Sequence, residues 1–172
     1  MDATSKFKDR LPTLPETLLE LLDSLQIAYV MHRHPPLRTV EDSKAHRDNM
    51  PGLHIKNLFL RDRKKQNFLV VAEEDRQIDM KSLNQKIGCE RLSFGSAERL
   101  FEMLGVRPGA VSPLTLINDA DQKVHLALDI ALRTNEIIYA HPLVNDITLG
   151  IEGQYLQQFF AYTGHEVRWL DL

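Results

Sequence analysis

Chemistry is first suggested by Lys56, in the run Lys56-Asn57-Leu58-Phe59-Leu60. An extended chain points alternate side chains to one face, so Lys56 shares a face with Leu58 and Leu60, while Asn57, Phe59 and Arg61 take the other. An ammonium in phase with core leucines is costly to desolvate without a partner. Two readings stand open. In one, Lys56 sits at a strand end and its stem carries the charge out to water. In the other, it lines a pocket as a cation for a carboxylate, a phosphate or a developing oxyanion.

His141 ends the run Ile137-Ile138-Tyr139-Ala140 and precedes Pro142. Strand ends and the loops beyond them often carry sites, and an imidazole exchanges protons near neutral pH. An ordinary surface or capping histidine would look the same in sequence. The third feature is the segment from Gly105 to Leu114, GVRPGAVSPL. Its glycines let the backbone approach a ligand closely, although a plain helix-ending loop has the same spacing. It is neither a P-loop nor a dinucleotide fingerprint.

Other chemistries find no support. Cys89 is the only cysteine, which excludes an intramolecular disulfide, a paired redox thiol and a multi-cysteine zinc site. His32 and His34 flank a turn with no acidic cluster or cysteine nearby, so no metal is expected. No nucleophile elbow, Cys–His pair or HExxH motif is present.

These residues need a scaffold. The chain has 172 residues, 43% of them hydrophobic, which suits one domain able to bury a core without staples. Residues 1–12 read as a flexible lead-in and 13–172 as the domain. Thr13 and Glu16 have capping-box spacing, and Pro15 fits a first helical turn, so a helix is expected with Thr13 as its cap. A short strand is expected over Ile27–Met31, and a polar helix capped by Thr39. His54–Arg61 and Phe68–Ala72 read as a hairpin whose tip carries Arg63, Lys64 and Lys65. That tip either is merely solvated or touches phosphates.

Asp79 and Ser96 look like helix caps, with Gly88 and Gly105 as the matching stops. Strands are expected at Val124–Leu128, Glu136–Ala140, Ile147–Ile151 and Glu166–Leu170, with a helix over Gly153–Thr163. Strands and helices are mixed without regular βαβ alternation, which predicts a single α+β domain. The 21 basic residues against 24 acidic ones leave a charge of −3, unlike a protein that binds duplex DNA through its global field. No apolar run approaches the roughly 18 residues of a membrane helix, and residues 1–10 lack a signal-peptide core, so a cytoplasmic location is expected.

Taken in order, HxxP from His32, Thr39, the KNLFL run, the Gly105–Leu114 loop, and His141-Pro142 with Asn145 and Thr148 resemble a known family. The chain is similar to the YbaK/ProX superfamily of aminoacyl-tRNA deacylases, and most to its free-standing ProX type, over nearly the whole length from Thr13. The resemblance implies a mixed, largely antiparallel central sheet flanked by helices, with neither metal nor organic cofactor. It implies hydrolysis of alanine mischarged on proline tRNA. The sister branches, which remove cysteine or serine, remain alternatives, as does a non-catalytic domain binding nucleic acid or a small anion. The resemblance casts Lys56, Asn57 and His141 as catalytic. It casts Thr39, Gly105, Gly109, Ser112, Pro113 and Leu114 as substrate-binding. Arg63, Lys64 and Lys65 would contact the tRNA, whose acceptor end is the expected partner, with prolyl-tRNA synthetase or an elongation factor as a candidate source of substrate.

Overall fold

A computed structural model describes residues 11–37, 40–47 and 49–172. Thr39 and most of the expected lead-in therefore lie outside the described residues. The strands are β1 (Val30–Arg33), β2 (Leu53–Arg61), β3 (Asn67–Glu73), β4 (Ser93–Phe94), β5 (Val124–Asp129), β6 (Ile137–Ala140), β7 (Ile147–Glu152) and β8 (Val167–Leu170). The helices are α1 (Pro15–Ser24), α2 (Val40–Lys44), α3 (Met80–Ile87), α4 (Ala97–Leu104) and α5 (Gly153–Thr163). Short 3-10 turns run over Pro113–Asn118 and Ile130–Leu132.

The strands form one mixed sheet in the order β1-β7-β6-β2-β3-β5-β8, with β4 attached to β2. The pairs β1–β7, β6–β7, β2–β3 and β2–β4 are antiparallel, while β2–β6, β3–β5 and β5–β8 are parallel. The balance is closer to even than the largely antiparallel expectation. The central strand explains its own sequence. β3 reads Phe-Leu-Val-Val-Ala because apolar layers cover both of its faces. Leu69 and Val71 join the larger layer, with Leu18 and Leu22 of α1, Leu100 and Leu104 of α4, and Phe159 and Phe160 of α5. Phe68 and Val70 join the smaller layer, with Leu83 and Ile87 of α3.

Local signals held where one side chain decides the geometry. Asp79 accepts from the Ser82 N–H at 2.8 Å and Ser96 from the Arg99 N–H at 3.1 Å. Gly88, Gly105 and Gly164 end their helices in the left-handed conformation. The Thr13 cap is a correction: α1 starts one residue later with Leu14 as its N-cap, and the Thr13 hydroxyl instead donates to Asn118 Oδ1 at 2.6 Å. A long-range acceptor outcompetes the local backbone there. The first strand is also displaced toward the C-terminus. Ile27 is buried in the larger layer, and pairing begins only at Val30, opposite Gly150. Among the described residues, no helix is long and apolar enough to cross a membrane.

Candidate active site

The β6–β7 connection docks against the chain that leaves β1. The His34 N–H donates to the Asp146 carbonyl and the Leu37 N–H to that of Asn145, each at 3.2 Å. Asn145 Nδ2 returns a bond to the Leu37 carbonyl at 2.9 Å. Between these segments, the start of β2 and residues 43–50 lies a cleft of about 80 Å³. Its walls include His34, His46, Arg47, Asn57, Glu74 and His141.

Two carbonyls fix the protonation of two imidazoles. His141 Nδ1 lies 2.8 Å from the Ile147 carbonyl, and His34 Nδ1 lies 2.8 Å from that of Pro35. A carbonyl only accepts, so both Nδ1 atoms carry the proton. His34 Nε2 lies 2.7 Å from the Thr148 hydroxyl. With Nδ1 protonated, a neutral His141 keeps its lone pair on Nε2. Burial holds the His141 pKa below the ordinary histidine value, and His34 acts in the same direction, while the Ile147 carbonyl and Asp146 oppose it. His141 is thus a neutral acceptor near pH 7, able to take a proton from water or a hydroxyl.

His54 is a second neutral imidazole in the wall. It donates Nε2–H to the Met50 carbonyl at 3.1 Å and stacks on Tyr139 with ring centroids 4.8 Å apart. Burial pushes its pKa down, with Arg47 adding to the shift and the Met50 carbonyl and Glu74 opposing it. Arg47 and Glu74 form an ion pair in the same wall.

The sequence-based candidates separate. Asn57 and His141 line the cleft together. Lys56 has the phase that alternation demands, with Leu58 and Leu60 in the smaller layer and Ile55 and Phe59 in the larger one. Its ammonium donates to the Arg76 carbonyl. The Arg76 side chain is itself held by the fully buried Asp129 carboxylate, with Nε 2.9 Å from Oδ2.

The Gly105–Leu114 loop stands behind the cleft rather than in its wall. Gly105 ends α4, where a Cβ would come within 2.4 Å of Pro12 and 2.6 Å of Asn118. Buried Ser112 donates its hydroxyl to the His141 carbonyl at 2.6 Å, and Pro113 and Leu114 open the buried 3-10 turn that follows. Gly109 is exposed, at φ +94°, with the Asn145 amide beside it. Arg63, Lys64 and Lys65 are exposed at the β2–β3 tip, roughly 20 Å along the hairpin from Asn57.

Residue-type reasoning passed over Arg47 and Glu74, weighed His34 only as a metal ligand, and gave Thr148 no role. The Glu74 signal was weak, since acids at strand ends are common. For His34 the usable sign was its place before Pro35, whose carbonyl sets the tautomer. A wider groove of about 760 Å³ lies elsewhere, against β5, β8 and the end of α3, and holds none of the expected catalytic or substrate-binding residues. Among the described residues, no cluster of three or more metal-binding side chains occurs.

This scaffold and cleft have known counterparts. The chain belongs to the aminoacyl-tRNA editing domain family, whose model matches residues 34–159. It is 35% identical over 159 residues to the prolyl-tRNA editing protein ProX of Acetoanaerobium sticklandii, covering 91% of this chain and 96% of that protein. It is equally similar, at 35% over 154 residues, to prolyl-tRNA synthetase associated domain-containing protein 1 of Danio rerio, covering 88% of this chain and 84% of that one. Among solved structures, the hypothetical protein APE2540 superposes with a TM-score of 0.67 at 20% identity, covering 88% of this chain and 96% of the other. A candidate trans-editing enzyme for prolyl tRNA synthetase gives 0.65 at 18%, covering 89% and 93%. At those identities the structures speak for the fold, and they match its mixed sheet and flanking helices.

Proposed function

We propose that the protein hydrolyses the ester joining a wrong amino acid, alanine first among them, to the 3′ end of proline tRNA. The observation that carries this reading is a neutral His141, its Nδ1–H held by the Ile147 carbonyl so that Nε2 is left to accept, in the wall of a small cleft that Asn57 also lines. Water, or the neighbouring free ribose hydroxyl acting through water, gives its proton to that nitrogen. The attacking oxygen adds to the ester carbonyl, the tetrahedral oxyanion collapses, and the ribose oxygen leaves with the proton. Asn57 orients the water or the ester. A protein nucleophile is unnecessary, because the water or ribose-activated water is itself the attacking group.

Lys56 leaves β2 on the face opposite Asn57 and outside the cleft wall, so it is assigned to the terminal phosphate rather than to the oxyanion within the cleft, its ammonium exchanging the Arg76 carbonyl for that phosphate. Gly109 and the exposed part of its loop meet the ribose at the rim, with Ser112 holding the His141 carbonyl from behind, Pro113 and Leu114 opening the turn that seats Ser112, and Gly105 setting the start of the loop. The tip residues Arg63, Lys64 and Lys65 hold the acceptor stem.

Size supports alanine. A synthetase pocket built for proline gains little by rejecting a smaller residue, since a missing methylene is worth about 1–3 kcal/mol. A second cleft of about 80 Å³ admits a methyl side chain more readily than a ring. The test is deacylation of proline tRNA charged separately with alanine, cysteine, serine and proline, with Lys56→Ala and His141→Gln beside the wild type. Fast loss of alanine, with proline spared and both variants slow, is expected. Preferential loss of cysteine or serine would transfer the protein to a sister specificity. Hydrolysis of none of the four would overturn the reading. Unchanged single-turnover rates in Lys56→Ala would remove that residue from the mechanism.

A further inference from the structure

The cleft wall contains polar atoms that neither the fold nor the hydrolytic mechanism uses. Asn57 Oδ1 and Glu74 Oε2 are closed off from water and accept no hydrogen bond among the described residues. Both residues line the cleft. Among the described residues lining it, Glu74 is the only carboxylate, and its side chain is 10% exposed. Its other oxygen is taken by Arg47, and its N–H is fixed on the His54 carbonyl at 2.9 Å. The Arg47 Nε–H in the same wall is also unpartnered. The wider groove near β8 is lined by none of the residues with such atoms.

Desolvated acceptors without donors raise the free energy of the empty protein, and a ligand that donates to them relieves it. Two acceptors, one of them anionic, call for a cation rich in N–H. The adjacent Arg47 donor calls for an oxygen close to that cation. An amino-acid ester has this layout, with an ammonium on the carbon next to the ester carbonyl. A carboxylate or phosphate ligand does not, since it would face Glu74.

We propose that Glu74 and Asn57 form a subsite for the α-ammonium group of the substrate's amino acid, so that a free cationic amine is required for efficient hydrolysis. The proposal rests on the deacylase reading and specifies which part of the substrate is recognised. Discrimination by side-chain size and discrimination by the amine are then separate properties of one cleft. Asn57 contacts the amine through Oδ1 and remains free to orient water through its Nδ2–H groups.

The experiment compares proline tRNA carrying alanine with the same tRNA carrying 2-hydroxypropionate, in which a hydroxyl of similar size replaces the ammonium. Each enzymatic kcat/KM is divided by the spontaneous hydrolysis rate of the same ester, which removes the difference in intrinsic reactivity. The wild type is expected to favour the alanyl ester by about tenfold to a hundredfold, the range of one or two charge-assisted hydrogen bonds. Glu74→Gln, which can still accept from Arg47, should bring the ratio toward one. If that variant fails to fold, as judged by circular dichroism, Asn57→Ala supplies the same readout. Equal corrected rates in the wild type would overturn the subsite while leaving the deacylase reading intact, and so would a ratio unmoved in both variants. Hydrolysis of neither ester would overturn both.

Discussion

His141 concentrates the chemistry at the scale of single residues. Its lowered pKa means that it loses its proton below pH 6.5 in the folded protein. The base form is therefore already present at mildly acidic pH. We expect kcat/KM to rise with pH along a limb centred below 6.5 and then to level off, as read in a pH–rate profile on the alanyl ester. A limb centred above 6.5 would assign the base to another group. His141→Gln should lower kcat by about 10² to 10⁴ if the imidazole moves the proton. Much of this residue scale was legible in the sequence. Alternation along β2 placed Lys56 with Leu58 and Leu60, and the structure keeps that phase. What could not be read is which face the cleft occupies, because its opposite wall comes from the β1 exit and the β6–β7 connection. The His141 tautomer was equally hidden, since it depends on the Ile147 carbonyl.

Two junctions between elements carry unusually specific demands. Gly153 begins α5 where a Cβ would stand 1.9 Å from the Thr134 carbonyl oxygen. Gly153→Ala must therefore push the helix off its seat, at an expected cost of about 2–3 kcal/mol and a fall in Tm of about 5–10 °C. The second junction ties the start of β5 to the turn before β8. Burial alone would raise the Asp119 pKa, but donation from His165 Nε2 at 2.9 Å and from the Lys123 and Val124 N–H groups outweighs it and holds the carboxyl below its usual value. A depressed carboxyl stabilises the fold above its unfolded pKa, near 4, and that contribution is lost as pH falls through the lower folded value. Asp119→Asn should cost about 2 kcal/mol near neutrality and flatten the acid limb of a Tm-against-pH curve. Sequence carried the caps at Asp79 and Ser96 because a cap is a local contest. It did not carry Thr13, where Asn118 won the hydroxyl across 105 residues.

The whole molecule bears a charge of −3, so its grip on a polyanion must be local. The basic tip lies roughly 20 Å from Asn57 and its three cations are exposed. Replacing Arg63, Lys64 and Lys65 together with glutamine should reduce the slope of log affinity against log salt by about 2 to 3 if each meets a phosphate. Fluorescence anisotropy on charged tRNA from low to moderate salt would measure it, and an unchanged slope would remove the tip from the interface. The same molecule-wide view bears on how activity appears in time. The Thr148–His34 bond closes across 114 residues, and among the described strands β1 pairs with β7 alone. Contacts of such sequence separation carry a large loop-closure entropy and form late in folding. A refolding chain would first regain the local hairpin β2–β3 and the capped helices, and acquire its cleft only when β1 finally docks. Recovery of catalysis would then lag behind recovery of secondary structure. On a ribosome the enzyme would stay silent until the part of the chain carrying β7 has emerged.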